Sequence, residues 1–241
     1  MAAQRLTVGV LGGMGPAATI DFMARVVALT PAGIDQDHVR MLVDHNPGVP
    51  NRQEAIRSGS AGVSRVLADM ARRLEQAGAD FLVMPCNSAH AFATAVREAV
   101  RIPLVSIIDE TVSEVRRIAP HAVRVGLLAT DGLLEAGLFQ EALAAAGYDA
   151  LVPGAADIGR LMTLIRRIKA GDTGEQPAAA MAELARKLAD AGAEVIVAGC
   201  TEIPLVLHGD RSPVPVVSST EALARRTVEL ATGAVPLPRV A

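Results

Sequence analysis

Two stretches of this chain carry almost the same text. Gly78-Ala79-Asp80-Phe81-Leu82-Val83-Met84-Pro85-Cys86 is echoed by Gly192-Ala193-Glu194-Val195-Ile196-Val197-Ala198-Gly199-Cys200. Two shorter echoes keep the same order. Val8-Gly9-Val10-Leu11 returns as Val125-Gly126-Leu127-Leu128, and Ile102-Pro103-Leu104-Val105-Ser106 as Val214-Pro215-Val216-Val217-Ser218. The offsets are 114, 117 and 112 residues respectively. A period this long excludes a solenoid of short stacked repeats. It reads as one α/β unit used twice.

Within that unit, short apolar runs alternate with longer amphipathic ones. In the first half, strands are expected at 7–11, 39–43, 81–84 and 104–108, and helices at 17–29, 61–77, 89–100 and 110–118. Pro16 suits the first position of a helix, and Gly78 its end. Strands that are apolar without alternation imply parallel pairing, with helices covering both faces. The expected fold class is therefore α/β: two pseudo-symmetric duplicated domains, each with a mainly parallel sheet flanked by helices, and an active site in the cleft between them. The polar stretch 171–177 reads as a loop inside the second half.

Composition removes several classes of function. The chain has 241 residues, 51% of them hydrophobic, with four Phe, one Tyr and no Trp. Net charge is −3, and both signs are scattered along the sequence. Without a Lys/Arg run or stacking aromatics, nucleic-acid binding has no support. Residues 8–18 are apolar but glycine-rich and too short to span a bilayer, so no membrane partner is expected. Two cysteines are not the disulfide framework of a secreted domain. A cytoplasmic protein with reduced thiols is the expectation.

Cys86 and Cys200 each close an apolar strand. Ligands of open parallel sheets bind beyond the carboxyl ends of strands. A single cysteine there reads as a small buried hydrophobe. Two, at one position of a repeat, point to paired chemistry on facing walls. Proton exchange at a carbon fits: a thiolate removes a proton from one face and a thiol delivers one to the other. A free thiol ionises near ~8.5 and an adjacent helix N-terminus lowers that value. Two such groups titrate as a coupled pair. A zinc site using His90 or His208 would have loose ligand spacing, and a redox dithiol lacks Cys-x-x-Cys. Neither a metal nor a cofactor is expected.

The flanking residues are small and polar. Asn87 and Ser88 follow the first cysteine, Thr201 and Glu202 the second. At a helix start they serve as caps, and the same backbone amides can receive a carboxylate. Glu202 would orient a thiol, receive an ammonium, or complement a helix dipole. Gly12-Gly13-Met14-Gly15-Pro16 contains a loose dinucleotide fingerprint, Gly13-x-Gly15-x-x-Ala18, with Asp44 as a late acidic partner. The alternative is a tight loop that brings backbone donors to a small anion. The corresponding segment of the second half, Ala129-Thr130-Asp131-Gly132, lacks the glycine cluster. Arg52, after a Pro/Gly loop, and Lys169, ending a basic helix with Arg166 and Arg167, either bind a carboxylate or are solvated charges.

Three segments together resemble the aspartate/glutamate racemase family, in its aspartate racemase branch: Gly9 to Pro16, Met84-Pro85-Cys86-Asn87-Ser88-Ala89-His90, and Ala198-Gly199-Cys200-Thr201-Glu202. The resemblance covers essentially the whole chain. It implies a pyridoxal-independent racemase with no cofactor, a small amino-acid substrate and, commonly, a homodimer. It implies that the last segment returns to complete the first domain, giving 1–103 plus 214–241 and 104–213. Catalysis would fall to Cys86 and Cys200, and the substrate carboxylate and ammonium to Met14, Asn87, Ser88, Thr201 and Glu202. A basic pair for the distal carboxylate would fall on Arg52 and Lys169. Many relatives carry Thr where this chain has Ser88, which keeps the hydroxyl. The expected activity is racemisation of aspartate, with glutamate as a second substrate. Maleate isomerase and hydantoin racemase are the related alternatives, and a nucleotide-binding oxidoreductase the unrelated one. Arylmalonate decarboxylases use a single cysteine, so two argue against that activity.

Overall fold

The computed structural model describes residues 5–238. The first half runs β1 (Val8–Gly12), α1 (Pro16–Leu29), β2 (Met41–His45), α2 (Arg52–Ser58), α3 (Gly62–Gln76), β3 (Phe81–Val83), α4 (Ala93–Ala99), β4 (Leu104–Val105) and α5 (Ile107–Ile118). The second runs β5 (Arg124–Leu128), α6 (Asp131–Glu135), α7 (Leu138–Ala145), β6 (Asp149–Leu151), α8 (Ala155–Lys169), α9 (Glu175–Asp190), β7 (Val195–Ala198), β8 (Val216–Ser218) and α10 (Ser219–Ala231). Among the described residues the strands form two four-stranded sheets, ordered β2-β1-β3-β4 and β6-β5-β7-β8. All pairings in both sheets are parallel.

The duplication extends to atomic packing. Gly9 lies opposite Leu82 in the first sheet, and Gly126 opposite Ile196 in the second. A methyl group on Gly9 would stand 2.7 Å from Leu82 Cδ2, 2.9 Å from Ala79 Cβ and 3.2 Å from Leu74 Cβ. On Gly126 it would stand 2.5 Å from Ile196 Cδ1, 3.0 Å from Ala193 Cβ and 3.2 Å from Leu188 Cβ. Leu74 belongs to α3 and Leu188 to α9, so each glycine lets one helix press onto the central strand of its sheet. The strand starts match as well. Asp80 Oδ2 accepts the Thr7 N–H at 2.7 Å. Glu194 Oε2 accepts the Val123 and Arg124 N–H groups at 2.6 and 2.8 Å.

One core packs α3 and α4 against the first sheet and includes Leu67, Met70, Leu82 and Cys86. The other packs α8 and α9 against the second and includes Ile165, Met181, Ile196 and Cys200. The chain divides into two compact units: residues up to Ile107 with those from Thr220 on, and Ile108–Ser219. The expected divisions at 103/104 and 213/214 come a few residues early. β4 pairs with β3 and β8 with β7, so each strand stays with the sheet before it and the chain crosses afterwards. The ends of the first expected domain, 1–4 and 239–241, lie outside the described residues.

Local differences have physical causes. The strand expected over 104–108 is only Leu104–Val105, because Ile107 and Ile108 are buried in the first turn of α5. Tertiary burial overrides their β preference. The helix expected over 89–100 is a 3-10 turn, Ser88–Phe92, followed by α4. The loop expected to run to Pro177 stops at Gly174, and Pro177 lies buried in the first turn of α9, where its missing N–H breaks no helical bond. Helix α2 has no counterpart in the sequence reading. Asn51 caps it, its side chain accepting from the Gln53 and Glu54 amides.

Candidate functional site

Each sheet order reverses direction beside its central strand, between β1 and β3 in one unit and between β5 and β7 in the other. That switch point is where open α/β sheets leave a crevice at the carboxyl ends of their strands. Cys86 follows β3 and Cys200 follows β7, so each sulfur sits beside the crevice of its own unit. Both are free and buried.

In the first unit, Cys86 is held in a cinched turn. Its N–H donates to the Met84 carbonyl at 2.7 Å, around Pro85. The His90 ring bonds the Cys86 carbonyl through Nδ1 at 3.0 Å. Met14, Asn87 and Ser88 are buried. Met14 packs in the same apolar cluster as Cys86. Gln53 Nε2 donates to Ser88 Oγ at 3.0 Å, which ties α2 to the cysteine turn. Arg52, expected on a loop, is the first residue of α2, and its Nη1 donates to the Val49 and Pro50 carbonyls at 3.0 and 2.8 Å. Gln53 escaped the sequence reading because its helix did. The Asn51-x-x-Glu54 spacing is the signal that marks it.

The glycine loop is closed by its own helix. The Gly13 N–H donates to Thr19 Oγ1 at 2.9 Å, and that hydroxyl donates to the Gly15 carbonyl at 3.2 Å. Gly13 has φ +90°, and a Cβ there would lie 2.4 Å from the Asn46 main chain, so no other residue fits. Asp44 accepts from Arg73 Nε and Nη2 at 3.1 and 2.7 Å. The acidic partner of the dinucleotide fingerprint is thus committed to a salt bridge.

The second unit builds a charged cluster around its cysteine. Cys200 Sγ donates to Glu202 Oε2 at 2.9 Å. Thr201 Oγ1 approaches the same oxygen at 3.5 Å. Lys169 Nζ, at the end of α8, lies 2.8 Å from Glu202 Oε1. Glu202 is 2% exposed, whereas the Lys169 side chain is 38% exposed, so a cation at the surface reaches a buried carboxylate. Lys169, Cys200, Thr201 and Glu202 therefore act as one assembly. The expectation that an adjacent helix N-terminus lowers the thiol fails at Cys200. Only a three-residue 3-10 turn, Ile203–Leu205, follows it. Burial, and then the Glu202 carboxylate, push the Cys200 thiol well above its usual range, against a smaller opposing pull from Lys169.

The histidines considered as zinc ligands have other surroundings. Both ring nitrogens of His90 bond to main chain, and His208 is exposed. Among the described residues no three His, Cys, Asp or Glu side chains gather as a metal site, and no helix is long and apolar enough to cross a membrane.

Comparison with known proteins places this geometry. A relative described as a broad specificity amino-acid racemase, RacX, from Bacillus subtilis is 27% identical over 225 residues, covering 92% of this chain and 96% of its own. The solved Picrophilus torridus aspartate racemase superposes with a TM-score of 0.84 at 27% identity, covering 95% of this chain and 94% of that one. An aspartate racemase homologue from Pyrococcus horikoshii shares the fold, with a TM-score of 0.76 at 24% identity over 94% of this chain and 99% of that one. The family model described as Asp/Glu/Hydantoin racemase matches residues 11–227, a span that contains both cysteine turns, the glycine loop, Arg52 and Lys169. The chain belongs to the Asp/Glu/hydantoin racemase family.

Proposed function

We propose that this protein racemises an acidic amino acid, aspartate before glutamate, without a cofactor, and that Cys86 and Cys200 are its two bases. The observation that carries the reading is the equivalence of the two cysteines. Each follows the same strand of the same duplicated sheet, beside the switch point of its own unit. One sulfur, as thiolate, takes the α-proton and becomes a thiol. The other, as thiol, gives its proton to the opposite face of the carbanion and becomes a thiolate. Charge and protons balance, and the reverse reaction exchanges the roles.

The polar residues have parts in this reading. The amides and side chains of Met14, Asn87, Ser88 and Thr201 receive the α-carboxylate and ammonium, with Glu202 beside the ammonium. Arg52 and Lys169 face the distal carboxylate. Among the described residues Arg52 bonds the main chain through Nη1 alone, which leaves Nη2 for a carboxylate oxygen. The names of the Picrophilus and Bacillus relatives favour an amino-acid substrate. The reading takes the protein as a homodimer in the cytoplasm, where both thiols stay reduced.

The test is racemisation of L- and D-aspartate in deuterium oxide with no added cofactor. Early in the reaction the product enantiomer carries solvent deuterium while the remaining substrate does not. Cys86→Ser and Cys200→Ser each abolish racemisation. Full activity in either variant would sink the two-base reading. Turnover of maleate or a hydantoin in place of aspartate would move the protein to a related carbon-acid reaction.

A further inference from the structure

His90 is buried, four residues after Cys86, and nothing in the two-base reaction uses it as an acid or base. Two hydrogen bonds to main chain define the chemical state of its ring. The backbone N–H of Ile107 reaches Nε2 at 3.2 Å. An amide N–H only donates, so Nε2 presents its lone pair. Nδ1, 3.0 Å from the Cys86 carbonyl oxygen, faces a group that only accepts. It therefore carries the proton. Both contacts hold together in a single form, the neutral ring protonated on Nδ1. Imidazolium would set Nε2–H against the Ile107 N–H, and the other tautomer would lose both bonds.

Ile107 opens α5, directly after β4, the neighbour of β3 in the sheet. His90 thus straps the cysteine turn to the next strand's exit. The second unit makes a strap at the matching place with a different group: Ser219 Oγ, after β8, donates to the Ala198 carbonyl at 3.0 Å. We propose that His90 is a positioning residue for the racemisation: a neutral, Nδ1-protonated imidazole that holds the main chain carrying Cys86, Asn87 and Ser88. This rests on the reading of Cys86 as a base. The strap sets the direction of the sulfur, and a misplacement of ~1 Å at a reacting group costs about 10²-fold in rate.

The experiment joins nitrogen-15 NMR of the histidine rings at pH 7 with kinetics of folded variants, the His90 signal being assigned by its loss in His90→Asn. The expected spectrum shows a neutral ring with the proton on Nδ1. His90→Asn puts an amide donor where Nδ1–H was and keeps the bond to Cys86. His90→Gln puts an acceptor near Nε2 and loses that bond. His90→Gln is expected to lose about 10²-fold in kcat with KM within roughly threefold, and His90→Asn to recover most of that loss. An imidazolium or an Nε2-protonated ring overturns the proposal. So does a folded His90→Gln enzyme with wild-type kcat, or a loss confined to KM. If the wild-type protein racemises nothing, the functional reading falls and takes the positioning role with it. If it racemises and the variants disagree, only the role of His90 falls.

Discussion

Cys200 and Glu202 share a hydrogen bond of 2.9 Å, thiol to carboxylate, inside a buried pocket of the second unit. The carboxylate opposes ionisation of the sulfur beside it, and Lys169, 2.8 Å from the other carboxylate oxygen, favours it. The two neighbours therefore predict shifts of opposite sign. The chain has two cysteines, so in a Cys86→Ser background Cys200 is the lone thiol. There, Glu202→Gln lowers the pH midpoint of thiolate formation and Lys169→Met raises it, read by thiolate absorbance or the pH dependence of alkylation. An unchanged midpoint in both variants would show that burial alone governs this sulfur.

The raised Cys200 thiol also predicts how stability depends on alkali. The unfolded thiol ionises near ~8.5, and the folded one above that. Between the two values the native state holds a proton that the unfolded state has released, so folding weakens as pH rises. The contribution is complete below about 8.5 and is lost as pH climbs toward the folded value. Urea midpoints of the wild-type protein should fall more steeply between pH 8 and 10 than those of Cys200→Ser. Equal slopes would place the ionisation elsewhere.

Much of this was legible from the repeat. Val8–Leu11 and its echo Val125–Leu128 read as strands, and the cysteines as strand-end residues, because an apolar run that stays apolar is a strand buried on both faces. The family, too, follows from the two cysteine turns. The missed features have short-range or many-body causes. Helix α2 is seven residues long, and its cap at Asn51 is a stronger mark than its periodicity. Ile107 and Ile108 favour a strand locally, but burial places them in α5. Both Lys169 and Glu202 were legible as charged residues. Their 2.8 Å contact joins residues 33 positions apart, which no local pattern encodes.

The two buried strand glycines predict overpacking. Gly9→Ala places a methyl 2.9 Å from Ala79 Cβ, and Gly126→Ala one 3.0 Å from Ala193 Cβ. Neither alanine has a flexible end that can turn away, so helix or strand must shift. Each substitution is expected to cost about 1–3 kcal/mol of stability. Gly147→Ala is the contrast. A Cβ there meets nothing within 4 Å, and its penalty comes from φ +87° alone. Urea unfolding of the three variants separates crowding from backbone strain. A Gly126→Ala protein as stable as wild type would mean that the helix contact is soft.

Glu194 predicts the acid limb. Its carboxylate accepts the Val123 and Arg124 amides where β5 begins, and these bonds hold its pKa below the usual carboxylate value. The unfolded carboxyl ionises near ~4.3. Above that pH the contact stabilises the fold, and the stabilisation is lost as pH falls through the lower folded value. Glu194→Gln keeps the size and one acceptor but removes the charge. At pH 7 it should lower the urea midpoint relative to wild type. At pH 3 the difference should narrow, because the wild-type side chain is then losing its charge too. Asp80 makes the matching bond to Thr7 in the first unit, so Asp80→Asn serves as the companion variant. A gap between wild type and Glu194→Gln that stays constant from pH 7 to pH 3 would show that the charge on Glu194 does not stabilise the start of β5.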